Sequence, residues 1–137
     1  MFHKIMVPVD LDHKDKLSRA LDVAASIAKS ESATICYVGV TAATPSHVAH
    51  TPEEYGRKLA AFASEQGAAH GAQTESKVVL SHDPRIDLDN LLLETIDEIG
   101  ADLVVMQSHV PGVLDHIWAS NGGVVANRAE ISVMLVR

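Results

Sequence analysis

The sequence predicts an α/β fold: one doubly wound domain with a five-stranded parallel sheet and helices on both faces. Short apolar runs rich in β-branched residues alternate along the chain with amphipathic helical patterns, in the order βα, βα, βα, βα, β. The runs are continuously apolar, which is typical of parallel strands covered on both faces. Because crossovers between parallel strands are right-handed, this order places helices on both sides of one sheet.

Five apolar runs are the predicted strands. The first ends directly before Asp10, and the third is the weakest because it opens with Ser76 and Lys77. Each run is four to eight residues long, which is the usual length of a strand in a sheet of this kind. The predicted strands cover residues 5–9, 33–40, 76–80, 102–106 and 133–136.

Four helical patterns separate these strands. In the first, leucines and alanines from Leu17 to Ala28 recur with helical spacing on one face. The second opens with the sequence TPEE from Thr51, a capping box with proline at the first helical position. The third ends at Gly100, which is expected to cap the helix C-terminus. A fourth and shorter helix is predicted over residues 121–128.

Composition narrows the class of protein. The 137 residues, 47% of them hydrophobic, suit one domain over residues 1–137. No apolar run approaches the roughly 20 residues of a membrane span, and no signal-peptide core precedes the first strand. The single cysteine, Cys36, cannot form an internal disulfide. A net charge of −7 argues against a broad surface for nucleic acid. We expect a cytoplasmic globular domain.

Two strand ends carry candidate binding residues, because ligands of doubly wound sheets bind at the carboxyl ends of strands, where the strand order reverses. Asp10 follows the first strand directly, where a carboxylate can accept hydrogen bonds from ribose, hold a metal or cap the next helix. Asp12 is the better placed of these two acids for capping. Ser120 and Asn121 begin the fourth helix, either as phosphate ligands at its free amides or as ordinary caps.

Several common sequence motifs of nucleotide-binding and catalytic sites are absent. The sequence has no Walker A loop, no GxGxxG turn and no GxSxG nucleophile elbow. A phospho-acceptor receiver domain is disfavoured because Asp83 is a poor acceptor after the third strand and Arg137 replaces the lysine needed after the fifth. Of the eight histidines, His109 is set apart because it falls in the loop directly after the fourth strand, close to any ligand. The others are expected to be solvated. No catalytic residue and no protein metal ligand is predicted.

Five segments together resemble one known family. Residues 4–10, KIMVPVD, are similar to its first strand and adenine-contacting turn, and residues 37–38 match a second-strand position whose backbone contacts adenine. Residues 82–84 resemble its Gly-Asp-Pro turn, and residues 101–106 and 131–137 match its last two strands. In order and spacing these segments resemble the universal stress protein family over nearly the full chain. The resemblance implies a Rossmann-like fold with strand order 3-2-1-4-5.

The glycine motif of the ATP-binding members is degenerate in this sequence. Those members carry a glycine, two residues, a glycine, nine residues, then glycine and serine or threonine. Gln107, Val110 and Ala119 stand where the three glycines would be, and Ser120 keeps the hydroxyl. Glycine permits positive φ and close backbone approach to phosphate, and a β-branched valine supports neither. The start and end of the loop are similar to a subgroup of which some members still bind ATP.

The resemblance also implies how ATP would bind, with Mg²⁺ beside its phosphates. Adenine would contact the backbone of Val9 and Val38, and Asp10 would bind the ribose. The phosphates would lie on Ser108, His109, Ser120 and Asn121. Hydrolysis is expected to be very slow at most, because no general base or arginine finger is visible. The implied ligand-binding positions are Pro8, Val9, Asp10, Val38, Met106, Ser108, His109, Ala119, Ser120 and Asn121.

The function implied by the resemblance is an adenine-nucleotide-binding module of the stress response that acts through partners rather than turnover. A homodimer is expected, because the last strand is an apolar edge that invites pairing and pairs across a two-fold axis in the family. That strand is Val133, Met134, Leu135 and Val136. The alternative is a dimeric interaction protein of the same fold whose degenerate loop binds no nucleotide.

Overall fold

The sheet has the predicted topology. The computed structural model describes residues 1–108 and 122–137. Its five strands lie in the order β3-β2-β1-β4-β5, and every neighbouring pair is parallel. The predicted fold class and strand order are confirmed. The strands are β1 (Lys4–Pro8), β2 (Thr34–Thr41), β3 (Gln73–Leu80), β4 (Leu103–Gln107) and β5 (Ser132–Val136).

The third strand is longer than predicted. Residues 73–75 are polar, so they give no apolar run, but they pair in register with β2 at Thr34, Ile35 and Cys36. The strand lies at one edge of the sheet and is only partly buried. An edge strand with one open side can carry polar residues, and pairing with its neighbour then decides where it begins.

Within residues 1–108 and 122–137, four helices and one 3-10 helix connect the strands. The 3-10 helix (Leu11–Lys16) follows β1 directly and was not predicted from the sequence. The helices are α1 (Ser18–Glu31), α2 (Pro52–His70), α3 (Pro84–Ile99) and α4 (Gly122–Arg128).

The predicted caps of α2 and α3 are present. The Thr51 hydroxyl accepts a hydrogen bond from the backbone N–H of Glu54 at 3.1 Å, and Pro52 occupies the first turn of α2. The carboxylate of Glu54 accepts the N–H of His50 at 3.0 Å, and this hydrogen bond lowers the pKa of Glu54. Gly100 follows α3 with φ +69°, a left-handed conformation that glycine adopts without strain.

The sheet separates two apolar layers. The α1 and α2 helices pack on one face against Val7, Val9 and Tyr37, among other residues. The α3 and α4 helices pack on the other face against Met6 and Cys36. Cys36 is fully buried, as a small core residue was predicted to be, and burial raises the pKa of its thiol to about 11. In the part of the chain that the structure describes, no helix is long and apolar enough to span a membrane.

Hydrogen bonds of Asp102 join the start of β1 to the turn before β4. Its carboxylate accepts the backbone N–H of His3 at 2.8 Å and that of Lys4 at 3.1 Å, and it lies 3.1 Å from the His3 imidazole. Partial burial raises the pKa of Asp102, but these three contacts outweigh burial and hold the pKa below its ordinary value of 3.8. These contacts of Asp102 stabilise the end of the sheet that lies opposite to the candidate site.

We predict that Asp102→Asn destabilises the protein by about 1 kcal/mol at neutral pH, because the amide cannot accept all three contacts. A lowered folded-state pKa stabilises the fold above the unfolded-state value, so the difference between wild type and variant should shrink as pH falls below about 4. Urea denaturation at several pH values measures both effects. Asp22→Asn is the matched control, since Asp22 is exposed and 3.7 Å from its partner His70. Equal losses in the two variants would contradict the prediction.

Candidate functional site

The pairing of β1 with β4 ends early at the carboxyl edge of the sheet, and we call the space between the two strand ends the crevice. The register of β1 with β2 continues to Pro8 opposite Val38, but its register with β4 ends at Met6 opposite Val104. Successive residues of a strand direct their backbone groups to opposite neighbours, and Pro8 faces β4 without an N–H to donate. Because β1 leads to α1 on one face and β4 leads to α4 on the other, this is the point where the strand order reverses.

Asp10 lies at this point with both carboxylate oxygens engaged. Oδ1 accepts the backbone N–H of Asp12 at 3.0 Å, and Oδ2 lies 2.9 Å from Nδ1 of His13. Asp10 is thus the N-cap of the 3-10 helix, and the expectation that Asp12 would be the better cap is wrong. The cap belongs to Asp10 because the helix begins immediately after it. The carboxylate retains one further lone pair on each oxygen.

His13 is held by the carboxylate it faces. The hydrogen bond with Asp10 raises the pKa of His13 above its ordinary value of 6.5, although partial burial opposes the rise. The negative charges of Asp10, Asp12 and Asp15 add to it. The expectation that this histidine would be solvated is therefore wrong. Its signal in the sequence was the three-residue spacing from Asp10, which places the two side chains together across one turn.

The backbone groups predicted to contact adenine already bond to each other. The N–H of Val9 donates to the carbonyl oxygen of Val38 at 2.8 Å, and the side chains of both valines lie in the core. The Val38 carbonyl retains one lone pair. Two residues further along β2, Val40 directs its N–H and carbonyl to the same side, beyond the last residue of β1 that pairs with this strand. Val40 was missed because its role depends on where β1 ends.

The end of β4 supplies fewer exposed groups. Met106 is buried in the core layer under α3 and α4. The backbone N–H and the hydroxyl of Ser108 both donate to the Val136 carbonyl, at 2.8 and 3.2 Å, so the hydroxyl proton of Ser108 is directed to β5. The remaining predicted positions, His109, Ala119, Ser120 and Asn121, lie outside the described residues.

Tyr55 is a further residue of this region that the sequence did not identify. Its ring packs on the backbone of β2 at Gly39, where an added Cβ would lie 2.5 Å from the Tyr55 hydroxyl oxygen. Burial, and then the charges of Asp10 and Asp12, raise the pKa of Tyr55, which keeps its phenol neutral. In the sequence Tyr55 was indistinguishable from the buried face of α2.

Metal-binding side chains do not cluster in the described region. Within residues 1–108 and 122–137, no group of three or more histidine, cysteine, aspartate or glutamate residues is arranged to hold an ion. At the end of β1, the Asp10 carboxylate is a hydrogen-bond acceptor in a fixed orientation. On the neighbouring strand, the backbone N–H and carbonyl of Val40 lie beyond the last residue of β1 that pairs with β2. This combination can bind a polar ligand that has vicinal hydroxyls at one end and a donor–acceptor edge at the other.

The fold is that of a doubly wound α/β domain, with its candidate site at the carboxyl ends of the first and fourth strands. A model of the universal stress protein family matches residues 1–137, and the chain belongs to this family.

Solved universal stress proteins share the fold at low sequence identity. One in complex with cAMP is 21% identical, with a TM-score of 0.71 over 99% of this chain and 97% of its own. One from Archaeoglobus fulgidus in complex with dAMP is 20% identical, with a TM-score of 0.68 over 98% of each chain. A family protein from Arabidopsis thaliana with AMP bound is 19% identical, with a TM-score of 0.64 over 98% of this chain and 90% of its own.

We predict that Gly39→Ala lowers the free energy of unfolding by about 1–3 kcal/mol, because the new methyl group must displace the buried Tyr55 ring. Thermal and urea denaturation measure the loss. Gly123→Ala is the matched control, since an added Cβ there meets no atom within 4 Å and alanine favours the helix. A Gly39→Ala protein as stable as Gly123→Ala would contradict the close packing of Tyr55 on β2.

Proposed function

We propose that this protein binds an adenine nucleotide in the crevice between β1 and β4 and acts in the stress response as a homodimer, through partners rather than turnover. The observation that carries the proposal is the Asp10 carboxylate, held in one orientation at the strand-order reversal with a lone pair free on each oxygen. Its cytoplasmic location, expected from the sequence, is part of the proposal.

The ribose end of the ligand fits Asp10. The side chain of Asp10 is 14% exposed, so it is reachable from the crevice but shielded from most water. Two vicinal hydroxyls can each donate to one carboxylate oxygen, using the lone pairs that Asp12 and His13 leave free. Because the carboxylate is already oriented, the ligand does not have to order it on binding.

The adenine end fits the upper edge of β2. The Val40 N–H and carbonyl form a donor–acceptor pair on the side where β1 has ended. Adenine carries a complementary pair in its ring nitrogen and amino group. The Val38 carbonyl, which was predicted to contact adenine, lies two residues before Val40 on β2 and already accepts the Val9 N–H. We therefore assign the contact with adenine to Val40, and the hydrogen bond between Val9 and Val38 holds that part of β2 in position.

The phosphate end would lie toward the loop after β4. Ser108 lies at the start of that loop, and we propose that the phosphates contact the loop through Ser108, His109, Ser120 and Asn121, as the resemblance implies. A divalent ion such as Mg²⁺ would then be held chiefly by phosphate oxygens, which is its usual environment when protein carboxylates are few. The solved family proteins with cAMP, dAMP and AMP bound support adenine nucleotides as the ligand class.

We predict that Asp10→Ala weakens AMP and ATP binding at least about tenfold, because the ribose loses its acceptor. Isothermal titration calorimetry with each nucleotide, with and without Mg²⁺, measures the loss, and a thermal shift checks it. Asp22→Asn is the control: it removes one negative charge from an exposed carboxylate of α1 and should change affinity less than about twofold. If wild type binds neither nucleotide at millimolar concentration, the protein is the dimeric interaction protein without a nucleotide.

A homodimer through β5 is supported by the contrast between the two edges of the sheet. On β5, Met134 and Leu135 are 41% and 39% exposed, and no residue of the strand is charged. A groove of about 470 Å³ adjoins β5, lined in part by Phe2, Ile27 and Leu103. An exposed apolar edge of this kind favours pairing with a second strand.

The opposite edge, β3, carries charges that oppose such pairing. Glu75 forms an ion pair with Lys4 at 2.6 Å, and Lys77 forms one with Glu98 at 3.5 Å. Charged side chains on an edge strand must be desolvated before another strand can pair with it. Two copies of the chain are therefore expected to associate through β5, about a two-fold axis that brings the same residues of each copy together.

We predict that Met134→Glu converts the dimer to monomer, or raises its dissociation constant at least about tenfold, because two carboxylates would face each other across the axis. Light scattering during size-exclusion chromatography measures the mass, and circular dichroism checks folding. Leu80→Glu is the control, since Leu80 is an exposed apolar residue on the opposite edge. Dissociation caused by Leu80→Glu rather than Met134→Glu would place the interface on β3.

A further inference from the structure

Among the residues that the structure describes, His13 is the group that contacts Asp10 and can change its charge near neutral pH. Its Nδ1 lies 2.9 Å from Asp10 Oδ2, the pair spans one turn of the 3-10 helix, and the two side chains are 30% and 14% exposed. The second oxygen of Asp10 is fixed by a backbone N–H, which does not titrate. A change in the charge of His13 therefore acts directly on the acceptor assigned to the ribose.

We infer that His13 is a positioning residue for Asp10 and makes nucleotide affinity depend on pH, with the protonated imidazole favouring the bound state. This inference rests on the nucleotide site proposed above.

The sign follows from the charges around the site. Asp10, Asp12 and Asp15 place three carboxylates around His13, and a nucleotide brings further negative charge in its phosphates. A protonated His13 offsets part of that charge and holds the Asp10 carboxylate in place through a charge-assisted hydrogen bond. A neutral His13 leaves the anionic ligand beside an uncompensated acidic group. Affinity should therefore fall as pH rises through the raised pKa of His13.

Among the described residues, the groups around the 3-10 helix do not reverse this sign. The α1 helix packs against the 3-10 helix and has no acidic residue in its first turn. Burial, and then the charges of Asp10 and Asp12, raise the pKa of Tyr55 on α2, which keeps its phenol neutral. Lys58 and Glu65 of α2, which have opposite charges, line a cavity with Asp12 and Lys14, and His47 from the loop before α2 lines the same cavity. The same 3-10 helix also carries the basic residues Lys14 and Lys16.

The inference is tested with His13→Asn. The asparagine amide can donate to Asp10 from nearly the position of Nδ1, but it does not titrate. We measure AMP affinity of wild type and variant by calorimetry from about pH 5.5 to about pH 8.5, the range over which His13 changes charge. The phosphate of AMP also titrates in this range, but it contributes equally to both proteins. The ratio of the two dissociation constants therefore isolates His13.

The matched control is His3→Asn. His3 Nδ1 lies 3.1 Å from Asp102 Oδ2, so it forms the same kind of ion pair at the opposite end of β1. This variant should keep the wild-type pH profile. A shift of that profile equal to the shift in His13→Asn would mean that a general loss of histidine charge is responsible, and it would overturn the inference.

We expect the affinity ratio of wild type to His13→Asn to fall about fivefold from the acid to the basic end of the range. By reciprocity, saturating AMP should raise the pKa of His13, followed by NMR of its imidazole, by about 0.7. Parallel pH profiles in proteins that both bind AMP would overturn this inference and leave the proposed function intact. Wild type that binds no AMP at any pH would overturn the proposed function, and this inference with it.

Discussion

The early end of the pairing between β1 and β4 is the constraint on which the candidate site depends. Pro8 faces β4 without an N–H, and the register of the two strands ends two residues earlier, at Met6. On its other side β1 stays paired with β2 through the bond from Val9 to Val38. Strand β1 thus stays hydrogen-bonded to β2 on one side, while on its other side the pairing with β4 has ended. The crevice forms on that side, and the core residues of β1 remain packed.

The same strand end fixes the chemistry of the site. Because β1 ends at Pro8, Asp10 falls where a 3-10 helix must begin, and its carboxylate caps that helix while it faces the crevice. The cap and His13 restrict Asp10 to one orientation. A carboxylate that already stabilises the fold can bind a ligand with little further ordering, and it needs no metal to hold it in place.

The net charge of the protein bears on how a ligand that carries phosphate could bind near Asp10 and His13. A protein with a formal charge of −7 that binds a phosphate-bearing ligand must compensate that charge locally. Among the described residues at the end of β1, His13, Lys14 and Lys16 are the basic residues of the 3-10 helix that could supply such compensation. At the distant edges of the sheet, charge has another effect: ion pairs protect β3 from strand pairing, whereas the uncharged β5 remains open to it.

The sequence by itself determined the layered architecture. Continuous apolar runs, helical spacing, the TPEE capping box and Gly100 are local patterns, and each carries its own physical reason, so the parallel sheet between helices and the caps of α2 and α3 could be predicted from them. The strand order 3-2-1-4-5 was implied by the resemblance to the family. The sequence also placed Asp10 at a strand end. Only the tertiary structure decided the rest, because those features depend on pairing between distant segments. The register of β2 places Val40 beyond β1, the packing of α2 brings Tyr55 onto Gly39, and polar residues 73–75 become strand only beside β2.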